Sequence, residues 1–135
     1  MTFERERLVG QCLDGFFLAL NAKDLARVDA SFTDDCVMDI PSSALFYKDK
    51  RDLMVHLEDF VESFAKIDFH DFTAVPDIAT GRVAATFTVT LVDEEGKTLE
   101  MRNANFFEFA EDHRISRILI IATQPLDKGF QAGRS

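Results

Sequence analysis

The chain shows two regimes of hydrophobic periodicity, one following the other. In the earlier part apolar residues return every three or four positions; in the later part they alternate with polar ones. Leu8, Cys12, Phe16 and Leu20 recur at every fourth position, with Val9, Leu13 and Phe17 beside them. That stripe predicts a first helix over about residues 3–21, capped by Thr2. Asn21-Ala22-Lys23 turns a corner, and Asp24 caps a short second helix that carries Leu25, Val28 and Phe32 inward. Thr33-Asp34-Asp35 stops it, Cys36 to Ile40 reads as a strand, and Pro41-Ser42-Ser43 breaks that strand. A third helix fits about Asp49 to Ala65. Leu53, His56, Leu57, Phe60 and Phe64 share its inner face, while Arg51, Asp52, Asp59, Glu62 and Ser63 face water.

Beyond that helix the period falls to two. Ile67 to Val75 reads as a strand, and so does Arg82 to Val92, where Val83, Ala85, Phe87, Val89 and Leu91 alternate with Ala84, Thr86, Thr88 and Thr90. Asp93 to Lys97, with Gly96, suits a hairpin turn. Thr98 to Phe109 and Arg114 to Ala122 complete the sheet. Residues 124–135 lack periodicity and read as a loosely held arm. Helices followed by meandering strands give a single α+β domain, with helices and a pocket on one face of an antiparallel sheet. The other face is rich in Thr and carries Phe106, Leu119 and Ile121, which makes it a candidate homodimer surface.

Composition narrows the function. Apolar residues make up 47% of the 135 positions, and fourteen of them are Phe against one Tyr and no Trp. That aromatic content suits a large apolar interior and a pocket for a flat apolar molecule. The net charge of −9 comes without any basic stripe. Nucleic acid and anionic membranes are therefore excluded as partners, since both need clustered Lys and Arg. Cys12 and Cys36 sit among apolar neighbours without CxxC spacing, so neither a disulfide framework nor a zinc site is expected. Charges in MTFERERLVG occupy the place of a signal peptide's apolar core, and no apolar run reaches membrane-spanning length. A cytoplasmic chain is the expectation.

Several motifs point to a family when taken in order. Leu20-Asn21-Ala22, then Asp24-Leu25, are followed by Phe32, Asp34-Asp35 and a strand ending at Ile40-Pro41. Phe87 to Leu91, Asn105 to Phe109 and Gln131-Ala132-Gly133 come later. With this spacing the chain resembles the steroid delta-isomerases and SnoaL-like proteins of the nuclear transport factor 2-like superfamily over nearly its whole length. The resemblance implies a cone-shaped fold, with three N-terminal helices packed on a strongly curved sheet around a pocket, usually in a dimer. In the isomerases a strand Asp shuttles the proton, while a helix Tyr and a protonated Asp stabilise the dienolate oxygen. The Tyr position falls on Phe16, the shuttle Asp on Ile40 and the protonated Asp on Asn105. One oxyanion donor is worth about 2.7–4 kcal/mol and a general base about 10²–10⁴ in rate. Authentic steroid isomerisation is therefore not expected. Asp39, one residue before Ile40, points to the opposite strand face.

The resemblance also selects the polar candidates. His70 falls at a pocket-lining position, and its spacing to Val83-Ala84 resembles that of the catalytic His in scytalone dehydratase and a haloalkane dehydrochlorinase. Those relatives orient their His with an Asp from the first-helix region, where this chain offers Asn21 and Asp24. Asp68, expected on one face with His70 and Phe72, is an alternative. Asn103 and Asn105 alternate with the same parity as Met101, Phe107 and Phe109, which places both amides toward the pocket. His56 takes an aromatic wall position, Tyr47 borders the mouth, and His113 lies in a turn exposed to water. His56 and His70 alone are too few for a metal site, and no cofactor is required.

The reading that results is a cofactor-independent isomerase, dehydratase or cyclase. It would abstract a proton from a small apolar molecule bearing a carbonyl or hydroxyl, with His70 and Asn105 as catalytic groups. Phe16, Ile40, Tyr47, His56, Phe60, Phe87, Val89, Asn103, Phe107 and Ile118 would contact substrate. The rivals are a non-catalytic domain binding a small hydrophobic ligand and a dimerising protein-interaction module.

Overall fold

The structure, a computed structural model, describes residues 3–124, so Thr2 and residues 125–135 of the expected arm lie outside the described residues. The first helix forms as three consecutive pieces: α1 (Arg5–Cys12), a π-helical turn (Leu13–Phe17) and α2 (Leu18–Asn21). A π turn takes one residue more than an α turn. Here Gly15, Phe16 and Phe17 are all buried, where a plain α-helix would carry three consecutive residues around toward solvent. Ser31 fixes this turn, its Oγ lying 3.0 Å from the Gly15 carbonyl and 3.1 Å from that of Arg27. A Cβ at position 15 would meet the same Oγ at 2.6 Å, which explains the glycine. Phe17 then stacks on Phe87 at 4.6 Å, Phe69 at 5.3 Å and Phe72 at 5.1 Å.

Asp24 caps α3 (Leu25–Ala30), accepting from the Arg27 N–H at 3.2 Å, as its sequence position predicts. Phe32 does not close this helix; it opens β1 (Phe32–Ile40). The expected stop, Thr33-Asp34-Asp35, lies inside β1 at a register irregularity between Phe32 and Val37. After a 3₁₀ turn (Pro41–Ser43), a short β2 (Leu45–Tyr47) pairs back on β1. Asp49 caps α4 (Lys50–Ser63), accepting from the Asp52 N–H at 2.9 Å. Lys50 ties the start of α4 to the ends of its neighbours, with Nζ 3.2 Å from the Asp29 carbonyl and 3.4 Å from that of Phe32.

Strands β3 (Phe64–Asp77), β4 (Arg82–Asp93), β5 (Thr98–Phe109) and β6 (Ile115–Ile121) follow. The six-stranded curved sheet has the order β2-β1-β6-β5-β4-β3, antiparallel throughout except for the parallel β1–β6 pair. On β4, Val83, Ala85, Phe87, Val89 and Leu91 are all 2% exposed or less and form the inner face. Each fully buried Val, Leu or Phe contributes about 1.5–3 kcal/mol, so this alternation dominates the choice of register.

Edge strand β3 departs from regular alternation. Asp71 has a φ of 56°, and the pairing with β4 shifts between His70 and Thr73. Phe72, expected on one face with Asp68 and His70, instead turns inward onto Phe17. The backbone of Phe69 faces the unpaired edge and is held by one side chain. Asn21 Nδ2 donates to its carbonyl at 3.0 Å, and Asn21 Oδ1 accepts its N–H at 2.7 Å.

The N-terminal segment is stitched to two sheet turns. Phe3 N–H donates to the Ile78 carbonyl at 3.2 Å, and the Phe3 ring covers Gly81 so closely that a Cβ there would lie 2.4 Å from it. His113, expected in water, is 3% exposed and accepts the Glu4 N–H at 3.1 Å through Nε2. Among the described residues, no helix is long and apolar enough to cross a membrane.

Candidate functional site

A cavity of about 50 Å³ lies between the helices and the inner sheet face. Phe16 and Leu20 reach it from the first helix, and His56, Leu57 and Phe60 from α4. Ile40, Phe69, Phe87, Val89, Leu91, Met101 and Ile120 line it from the sheet, together with Asn103 and Asn105. One water needs about 10–15 Å³ of such space, so the site as folded holds only a few. Its wall is apolar apart from one imidazole and two amides.

The two amides have different tasks. Asn103 Oδ1 accepts the Thr123 N–H at 3.0 Å, with Thr123 Oγ1 at 3.5 Å, and so fastens the chain leaving β6. Asn105 is 2% exposed, and its Oδ1 has no hydrogen-bond partner. Leaving such an acceptor unsatisfied costs about 1–3 kcal/mol. A donor entering the cavity recovers that cost, and rotating the amide presents N–H groups to a ligand oxygen instead.

His56 is 9% exposed on the inner face of α4. Its Nδ1 lies 2.9 Å from the Tyr47 hydroxyl, and the two rings stack at 4.7 Å and 30°. The bond couples the tautomer to the phenol: an Nδ1–H donating to the phenol oxygen leaves the basic lone pair on Nε2, whereas a phenol donating to Nδ1 leaves the proton on Nε2. Tyr47 therefore orients the imidazole without lining the inner cavity itself.

Of the residues expected to contact substrate, Phe16, Ile40, His56, Phe60, Phe87, Val89 and Asn103 line this cavity, as does Asn105. His70 does not. Regular alternation from inward-facing Phe69 turns it to the outer face, where Nε2 lies 3.1 Å from Thr90 Oγ1 and Nδ1 3.4 Å from Asp71 Oδ2. The expected place of His70 in the pocket is thus corrected. Phe107 and Ile118 face inward but sit in the filled core outside the cavity, Phe107 against Phe16 at 5.6 Å and Phe17 at 5.7 Å. Leu20, Leu57, Phe69, Leu91, Met101 and Ile120 also line the cavity and were not among the residues expected to contact substrate. Their signal was present, since they continue the same helical stripes and strand parities.

The thiols supply no nucleophile. Burial pushes Cys12 upward, and burial, aided by Asp35 and opposed by Lys50, pushes Cys36 up to about 12. Among the described residues, no three potential metal ligands gather in one place.

No curated protein matches the chain significantly. Solved structures share its fold. A candidate polyketide cyclase of Xanthomonas campestris pv. campestris is 18% identical over 96% of this chain and 98% of its own, with a TM-score of 0.78. A candidate isomerase of Bacillus subtilis, also 18% identical, covers 95% of this chain and 94% of its own at a TM-score of 0.80. BvnE pinacolase of Penicillium brevicompactum is 12% identical over 96% and 92%, at 0.80. Residues 13–118, which include every cavity residue except Ile120, match the model of the SnoaL-like domain, and the chain belongs to that family.

Proposed function

We propose that the chain is a small-molecule enzyme that moves a proton on a compact apolar substrate bearing a carbonyl or hydroxyl, with His56 as the base and Asn105 as the hydrogen-bonding anchor. One observation carries the reading: a tyrosine-oriented imidazole and an unsatisfied buried amide share a cavity whose wall is apolar but for these two and Asn103. An imidazole exchanges protons near neutral pH. The amide can donate to a developing oxyanion without ionising, and dry surroundings strengthen that bond. Isomerisation, dehydration and cyclisation all begin with such a transfer, and the related pinacolase and candidate cyclase and isomerase are consistent with that range. No metal or cofactor takes part in the proposed step.

The test follows carbon-bound hydrogen directly. Compact ketones such as cyclopentanone and cyclohexenone are incubated with the protein in heavy water, and deuterium beside the carbonyl is followed by NMR. His56→Gln should lower the enzymatic exchange rate about 100-fold or more, in line with the worth of a general base. Asn105→Leu should weaken both exchange and binding. Exchange no faster than buffer, or unchanged in His56→Gln, overturns the reading. The second reading, a non-catalytic binding domain, is favoured by Asn103, whose amide oxygen is already committed to Thr123. Retention of a ligand without exchange would support it.

A further inference from the structure

Asn103 and Asn105 stand two positions apart on β5 and both face inward, opposite Phe87 and Ala85 of β4. At the usual rise of an antiparallel strand their Cα atoms are about 6.8 Å apart. The two amides differ in freedom. Asn105 Oδ1 is enclosed without a partner, and no hydrogen bond among the described residues fastens that amide. Asn103 is fastened through one end only: its Oδ1 accepts the Thr123 N–H at 3.0 Å, while its Nδ2 has no partner among the described residues. An amide is planar, so holding its oxygen also sets the direction of both its N–H groups. Thr123 is itself held in place, because the next residue, Gln124, donates from Nε2 to the Glu100 carbonyl of β5 at 3.4 Å. Asn103 is 6% exposed and lines the cavity. Clasping a main-chain N–H requires an acceptor alone. The N–H groups that come with this one stay unpaired beside an apolar wall, which is costly unless a ligand takes them up.

The geometry points to Asn103 as a second catalytic donor, aimed by the main-chain N–H of Thr123 so that it and Asn105 hold the same ligand oxygen. The inference rests on the proposed function and deepens it, since it states how the substrate oxygen is anchored and of which kind that oxygen is. An oxygen seated between two side chains about 6.8 Å apart at their Cα atoms can accept from both at about 2.9 Å. Asn103 supplies a donor whose direction is set before the substrate arrives, the arrangement that best stabilises a developing oxyanion. Asn105 turns its own N–H onto that oxygen as the substrate enters. Two donors then surround the oxygen, which selects a ketone or aldehyde carbonyl over a hydroxyl. A carbonyl accepts twice, whereas a hydroxyl must also place its own proton. Thr123 is a positioning residue, acting through its backbone.

The probe is cyclopentanone labelled with carbon-13 at the carbonyl. Its binding to the full chain is followed by NMR at the carbonyl carbon and at the Asn103 and Asn105 side-chain amides, and deuterium exchange beside the carbonyl is measured in parallel. In the unchanged protein both sets of amide protons should move downfield on saturation, which tests convergence without any substitution. Asn103→Leu should lower the enzymatic exchange rate about 100-fold or more, the worth of one oxyanion donor. It should also move the bound carbonyl carbon upfield, because a hydrogen bond is lost. A residue that only fastened the chain would leave that carbon where it is. Thr123→Pro removes the aiming N–H at an exposed position and should move both readouts in the same direction, with a loss of about tenfold or more in rate. If only Asn105 responds to the ketone, and the carbonyl carbon is indifferent to Asn103→Leu, this inference is overturned and the proposed function stands. Thr123→Pro indistinguishable from the parent overturns the positioning role of Thr123. A parent protein that neither shifts the carbonyl carbon nor exchanges faster than buffer overturns the proposed function, and this inference with it.

Discussion

At positions 16 and 40 the chain presents a phenyl ring and a branched alkyl group to the cavity, at the two positions where the sequence resemblance to the steroid isomerases would put a phenol and a carboxylate. Phe16→Tyr combined with Ile40→Asp restores both groups to the wall. A steroid still has no room, because drug-sized ligands occupy about 300–1,000 Å³. The double variant is therefore expected to accelerate proton exchange on a compact enone, not on a ketosteroid, as NMR in heavy water would reveal. It should also melt at lower temperature, since a carboxyl replaces a fully buried alkyl group. A folded variant with no gain on the enone would mean that these side chains do not converge on the reacting atoms. The inward aim of Ile40, away from Asp39, could be read from strand parity alone. His70 could not be placed this way, because two signals disagreed. Parity from Phe69 turned it outward, while its family position suggested the pocket. The bulge at Asp71 added the second error, over Phe72. Aspartate tolerates positive φ, but nothing in Phe69-His70-Asp71-Phe72 announces that it adopts it. His56 was visible as an inward residue of a helix. Its bond to Tyr47 depends on a loop course that periodicity does not specify.

Element boundaries were legible at Asp24, Asp49 and Gly96, where a capping or turn residue marks them, but not at Thr33-Asp34-Asp35, which runs inside β1. The π turn was not, since one stripe of apolar residues fits α and π registers alike until tertiary packing chooses. β2 escaped for a related reason: three residues are too few to show a period. The turns themselves carry a testable charge dependence. At the β3–β4 turn, Asp77 accepts from the Thr80 hydroxyl at 2.9 Å and the Ala79 N–H at 3.0 Å, which lowers its pKa from 3.8. A carboxylate held below its unfolded value stabilises the fold above that value, and the contribution disappears as pH falls through the lower, folded one. Asp112, clasped by Arg114 at the β5–β6 turn, is lowered in the same direction. Acid titration of the melting temperature should therefore show a loss below about pH 4 that is smaller in Asp77→Asn. Parallel curves for the variant and the parent would show that the clasp adds nothing to stability.

Across the whole molecule, the outer sheet face is ordered by register. One row runs Phe46, Asp39, Leu119, Phe106, Ala84 and Val75 over all six strands, about 24 Å at the usual strand spacing. Phe46, Phe106 and Val75 are 60%, 46% and 63% exposed. Beside it, Arg117, Glu108, Arg82 and Asp77 alternate in sign, with Glu108 3.8 Å from each arginine. An alternating row matches its own reverse, as a twofold axis demands. Two copies are therefore expected to pair through this face, and light scattering at micromolar concentration should give a dimer that Phe106→Glu dissociates. A monomer at that concentration would end the expectation.

The one parallel pairing in the sheet also sets an order in time. β1 comes early in the sequence, yet its main partner is β6, reached only after α4 and four further strands. During synthesis, Ile40 therefore waits without the neighbour that seats it against the cavity, while β3, β4 and β5 can zip as hairpins behind it. Such distant pairings form late, because closing a long loop precedes any reward from it. The recess that would receive a ligand is thus closed by the final strand, and a nascent chain halted before β6 would expose the apolar wall of the site with nothing yet to bind in it.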